Sequence, residues 1–138
     1  MAERIHHHLA RHVDEGRLRS AIDAAERATS GKIEVILASH KRGDMHRAAR
    51  DAFALNLRNL PERNGVLFFV VPSARELVVW GDAAIHDKVG QKFWDETAAL
   101  VSEHAKDGDL TAALAHGIER VGRELARHFP KDTADKQT

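Results

Sequence analysis

The chain has 138 residues, with 21 Lys plus Arg, 21 Asp plus Glu and no cysteine. This length suits one domain built around a single core. The zero formal charge argues against a nucleic-acid or anionic-membrane partner, because proteins that bind either one usually carry an excess of Lys and Arg. The absence of cysteine excludes disulfides and thiolate metal sites.

The N-terminal residues 1–16 predict a helical extension, with Ile5, Leu9 and Val13 at i, i+4 and i+8. Gly16 is expected to interrupt it. The segment lacks the apolar core of a secretory signal, and no window approaches the roughly 20 apolar residues that span a bilayer. We therefore expect a cytoplasmic protein with no direct membrane insertion.

The main domain is expected over residues 17–130. Its first helix should cover residues 17–29. Alternating apolar residues then predict a strand over 32–39. Asp44 is placed to cap a second helix, since its carboxylate can accept from free backbone N–H groups, and this helix should end near Pro61.

Residues 65–71 are apolar at every position, as in a central strand covered on both sides. A hairpin turn at 72–75 and a return strand at 76–80 should follow. Beyond Asp82 the period becomes helical, with Phe93 and His104 on the predicted core stripe.

Gly90 is a candidate break in that stripe. Asp109 should cap a final helix that Pro130 stops, and residues 131–138 are expected to form a disordered tail. The order predicts an α/β domain, a three-layer α/β/α sandwich with a small mixed sheet of about three to four strands and helices on both faces. The first two strands should be parallel through a right-handed crossover.

Several positions together resemble the TPM domain, the family of the thylakoid-lumen phosphatase-like proteins, a photosystem II repair factor and a nicotinic-receptor accessory protein. The match runs from about Leu18 to Pro130. The matching residues are Ala25-Glu26, Thr29-Ser30-Gly31, Ile33-Glu34-Val35, Asn64-Gly65-Val66-Leu67, Arg75, Gly81-Asp82, Ile85, Val89-Gly90, Phe93-Trp94, Gly117-Ile118 and His128-Phe129-Pro130. The resemblance implies a three-layer α/β/α fold, with acid phosphatase activity and divalent-ion binding in some members and assembly or receptor modulation in others.

Two residues depart from the family pattern. Lys32 and Arg63 stand where many members carry acidic residues, so positive charge replaces negative charge near the expected ion site. This chain resembles the short soluble bacterial members.

Parallel pairing of the first two strands sorts the polar residues onto two sheet edges. One edge should collect Glu62, Asn64 and Asp82, three oxygen donors suited to Ca2+ or another hard divalent cation. The alternative is that Asn64 lies in a turn and Asp82 caps the next helix.

The opposite, carboxyl edge should collect His40, Asp44, Ser73 and Arg75 as candidates for anion binding, because an Arg fork suits phosphate. The alternative is a helix cap and a charge at a hairpin tip. No nucleophile motif surrounds the serines, and the catalytic residues are unknown.

Two functions remain open. The first is an accessory module that binds a partner protein or a cation, as a monomer or weak oligomer. The second is a weak divalent-metal-dependent acid phosphatase acting on phosphomonoesters, which only the resemblance suggests.

Overall fold

The computed structural model describes residues 13–40 and 43–131. Five helices and three strands follow one another in these residues. Their bounds in chain order are α1 Glu15–Glu26, β1 Lys32–Leu37, α2 Met45–Asn56, β2 Gly65–Val71, β3 Glu76–Gly81, α3 Ala83–Val89, α4 Gln91–Ala105 and α5 Leu110–His128.

The strands form one mixed sheet in the order β1-β2-β3. β1 pairs with β2 in parallel, and β2 pairs with β3 antiparallel. A 3-10 turn at Pro72–Ala74 joins the antiparallel pair. The predicted central position of residues 65–71 is confirmed, because every residue of β2 is buried.

The two faces of the sheet carry separate cores, so the predicted three-layer arrangement is confirmed. On one face Phe68 and its alternate neighbours pack with residues of α1, α3, α4 and α5. On the other face Leu67 and Phe69 pack against α2. Because the side chains on both faces of β2 are apolar and packed against helices, the whole strand is shielded from water.

Three aspartates begin helices where the sequence predicts caps. Asp44 accepts from the backbone of α2, Asp82 from that of α3 and Asp109 from that of α5. Each carboxylate satisfies N–H groups that have no partner inside the helix.

Gly16 does not interrupt a helix, so that expectation is wrong. It lies in the first turn of α1, which Asp14 caps, since the Asp14 carboxylate accepts from the backbone N–H of Arg17. Residues 1–12 of the predicted N-terminal extension and residues 132–138 of the predicted tail lie outside the described residues.

The core stripe predicted for α4 needs correction. Gly90, at φ 80°, separates α3 from α4 as expected, and Val101, which the predicted stripe also included, is buried. Trp94 is buried, whereas Phe93 is half-buried at the rim and His104 is exposed. In the described part of the chain, no helix is both long and apolar enough to cross a membrane.

Candidate functional site

Asp82 lies at one edge of the sheet, directly after β3 and before α3. Its backbone N–H donates to the carbonyl of Gly65 at 2.9 Å, at the start of β2. The N–H of Ala84 donates to the carbonyl of Arg63 at 3.0 Å. These two bonds fix the first turn of α3 against the loop that leads into β2.

The carboxylate of Asp82 is almost completely removed from solvent, with 4% relative exposure. Its Oδ1 accepts from the backbone N–H of Ala83 at 2.7 Å and from Nε of Arg63 at 3.2 Å. Its Oδ2 is buried and accepts no hydrogen bond from any described residue. Buried carboxylate oxygens are normally satisfied, so this oxygen is the unusual feature of the edge.

Arg63 provides the positive charge beside this carboxylate. Its backbone is left-handed, at φ 52°, a conformation that residues other than glycine adopt uncommonly. Its side chain is 59% exposed, so the guanidinium reaches Asp82 from the solvent side. The pair is exposed on the Arg63 side only, so release of the guanidinium would leave the buried Asp82 carboxylate without a compensating charge.

Asn64 and Glu62, the other predicted metal ligands, differ in their surroundings. Asn64 is 1% exposed, and its Nδ2 donates to Oγ of Ser30 at 3.0 Å. Glu62 is exposed. The carboxylate of Glu26 is already hydrogen-bonded to the backbone, since its Oε2 accepts from the N–H of Ile33 at 2.8 Å.

Within residues 13–40 and 43–131, no three His, Cys, Asp or Glu side chains are grouped so that they could hold a metal ion. A cation at this edge would therefore take its oxygens from Asp82 together with amide, backbone and water ligands. Ca2+ accepts such mixed oxygen sets.

The opposite edge holds the predicted anion-binding residues. Asp44 and Arg75 line the same open cleft of about 430 Å³. Oγ of Ser73 instead donates to the carbonyl of Ser39 at 3.0 Å, which ties the ends of β1 and β2 together. His40 is exposed and does not line this cleft.

Asp44 is engaged as a helix cap, because its Oδ1 accepts from the backbone N–H groups of His46 at 2.8 Å and Arg47 at 3.4 Å. Arg75 has a left-handed backbone, at φ 55°, and an exposed side chain. The cleft thus offers one exposed guanidinium for an anion beside a carboxylate that is already engaged.

The bond between Asn64 and Ser30 was not anticipated from the sequence. The only signal is a serine placed before a glycine at the start of a strand, and this pattern is common in turns. The contact also depends on the parallel register of β1 and β2, which pairs Lys32 with Gly65.

Comparison with known protein families gives one match: the model of the TPM domain covers residues 9–124. The chain belongs to the TPM domain family. No functionally curated protein matches it.

Two solved structures resemble this TPM domain. The NMR structure of BA42 from the psychrophilic bacterium Bizionia argentinensis is 35% identical, with a TM-score of 0.79 over 91% of this chain and 86% of BA42. The N-terminal domain of cg2496 from Corynebacterium glutamicum is 17% identical, with a TM-score of 0.63 over 80% of this chain and 70% of that one. The second likeness supports the fold alone.

Proposed function

We propose that this TPM domain is a cation-binding accessory module in which Asp82 binds a hard divalent cation such as Ca2+ in exchange for Arg63. The observation that supports the proposal most is the buried Oδ2 of Asp82, which accepts no hydrogen bond from the described residues. A carboxylate oxygen buried in this way gains more from a cation than a solvated one does, because it has little water to lose.

The chemistry of the edge suits Ca2+ better than a soft metal. Asp82 and Glu62 offer carboxylate oxygens and Asn64 an amide oxygen, and water completes the six to eight oxygens that Ca2+ takes. Arg63 opposes binding, since its guanidinium already lies 3.2 Å from Oδ1 of Asp82. The mechanism is therefore an exchange, in which the exposed arm of Arg63 moves into solvent as the cation arrives.

The exchange predicts opposite effects for two substitutions. Arg63→Gln removes the positive charge that competes with the ion for Asp82, which should tighten Ca2+ binding on the order of tenfold. Asp82→Asn should abolish binding. Isothermal titration calorimetry measures both, with amide chemical shifts of residues 62–65 and 82–84 as a local readout.

Arg19→Gln provides a matched control, because it removes the same charge from an exposed position on α1. Its Ca2+ affinity should equal that of the wild type. The proposal is wrong if neither the wild type nor Arg63→Gln gives heat or local shifts with Ca2+, or if Arg19→Gln tightens binding as much as Arg63→Gln does.

The second candidate is a weak metal-dependent acid phosphatase. The cleft that Asp44 and Arg75 share favours it, because an exposed guanidinium can hold a phosphomonoester. A phosphomonoester assay from pH 4 to 8, with and without Ca2+, Mg2+ and Mn2+, tests this function. Turnover that disappears in Arg75→Gln would support it, and absence of turnover under every condition would exclude it for the substrates assayed.

An accessory role also requires a partner. The partner protein and the cytoplasmic location expected from the sequence stay predictions. A Ca2+-dependent change at the edge of Asp82 would supply the signal that such a partner reads.

A further inference from the structure

His104 and His116 form a stacked pair on neighbouring helices, far from Asp82 in the sequence. His104 lies in the last turn of α4 and His116 in the first half of α5. Their ring centroids are 4.4 Å apart, with 28° between the ring planes. Both residues are exposed, so water and ions reach the two imidazoles.

The backbones that carry these rings are held together by close packing. Gly117 adjoins His116, and a Cβ built at Gly117 would lie 2.6 Å from Cγ2 of Val101, so the two helices touch at this point. Farther along the same seam, Nε of Arg120 donates to Oγ1 of Thr97 at 2.9 Å. The packing of α4 on α5 therefore holds the backbones that carry the two rings close to each other.

We propose that His104 and His116 bind one divalent transition metal ion, such as Zn2+ or Cu2+, as a clamp between α4 and α5. Neutral imidazole suits these metals. A Zn–N bond is about 2.0 to 2.1 Å, so two imidazoles on one tetrahedral ion have centroids roughly 5 Å apart. In the stacked pair the nitrogen lone pairs lie in nearly parallel ring planes, so the two exposed rings must rotate to direct one nitrogen each at the shared ion.

Water completes the coordination, since no third His, Cys, Asp or Glu of the described residues is grouped with the pair. The site differs in chemistry from the edge at Asp82, because imidazole nitrogens select borderline metals whereas carboxylate and amide oxygens select Ca2+. The two proposals consequently succeed or fail separately.

Thermal unfolding in the presence of Zn2+ tests the clamp. An ion bound by residues on two helices binds the folded chain only, so it raises Tm; a Zn2+ concentration ten times the dissociation constant multiplies the folding equilibrium constant by about 11. The full chain is used with His6, His7, His8 and His12 changed to Gln, because those residues are neighbours in sequence and also offer imidazoles to metal.

In this background the Tm rise should disappear in His104→Gln and in His116→Gln. It should persist in the matched control His46→Gln, which removes an exposed histidine from α2. Cu2+ should broaden the amide signals around residues 104 and 116 first. The clamp is wrong if Zn2+ leaves Tm unchanged in the background protein, or if the rise survives both single substitutions.

Discussion

Gly81→Ala should be among the most damaging single-methyl additions in this domain. A Cβ built at Gly81 would lie 2.1 Å from Cζ2 and 2.6 Å from Cε2 of Trp94, whereas carbon atoms in contact are normally about 3.5 to 4.0 Å apart. The indole must therefore move by about 1.5 Å. It has little room, because Trp94 is 2% exposed and its Nε1 donates to Nδ1 of His86 at 3.0 Å.

The expected cost follows from this overlap. Forcing an extra methyl group into a packed core costs about 1 to 3 kcal/mol, and a contact this short places Gly81→Ala near 3 kcal/mol. Trp94→Phe alone should also destabilise, by roughly 1 to 3 kcal/mol, because it leaves a cavity and removes the bond to His86. The double variant should recover at least about 1 kcal/mol of the sum, since the added methyl group enters the space that the indole vacates.

Urea unfolding followed by far-UV circular dichroism measures all four proteins without relying on tryptophan fluorescence. Gly16→Ala is the control, because its nearest contact would be an ordinary 3.4 Å to Oδ1 of Asp14, and it should be neutral or slightly stabilising. If the loss of stability in the double variant equals the sum of the losses in Gly81→Ala and Trp94→Phe within about 0.5 kcal/mol, the overlap with the indole is not the cause of the Gly81→Ala cost.

Thr29→Val should cost about 2 kcal/mol, because the buried hydroxyl accepts from the N–H of Gly31 at 3.0 Å and valine leaves this N–H without its acceptor. The hydroxyl also donates to the carbonyl of Phe129, which keeps its bond from the N–H of Ser30. Thr29→Ser, which keeps the hydroxyl, should retain most of the stability in the same urea assay. Asp44→Ala should cost about 1 kcal/mol through loss of the cap on α2, measured as a lower urea midpoint, and an unchanged midpoint would show that the bond to His46 contributes nothing.

The sheet was predictable because its signals are local. Seven consecutive apolar residues in β2 are typical of a strand covered on both sides, and the intervening α2 favours a parallel β1–β2 pair. The same pairing correctly sorted Asn64 and Asp82 onto one edge and Arg75 onto the other. Capping by aspartate was likewise visible in the sequence, because it requires only neighbouring backbone groups.

Other features depend on how separate elements meet. Periodicity continued across Gly90 predicts only part of the buried face of α4, since Val101 is buried as expected, whereas His104 is exposed and Trp94 is buried outside the stripe. The left-handed backbone of Arg63 and the contact of its guanidinium with Asp82 have no sequence signature. The stacking of His104 on His116 likewise arises only when α4 packs against α5.

A comparison of the three capping aspartates shows that capping alone does not account for Asp82. Asp44 and Asp109 are exposed and perform the same task for longer helices. Asp82 caps the seven-residue α3 with Oδ1 alone, yet its entire carboxylate is buried. Burial of a charge costs free energy that a cap does not require, and Arg63 offsets only part of it from a solvent-exposed position. Capping of α3 thus does not explain why Oδ2 is buried. A cation that coordinates this oxygen would compensate its buried charge, and the free energy of that compensation would contribute to the affinity for the cation.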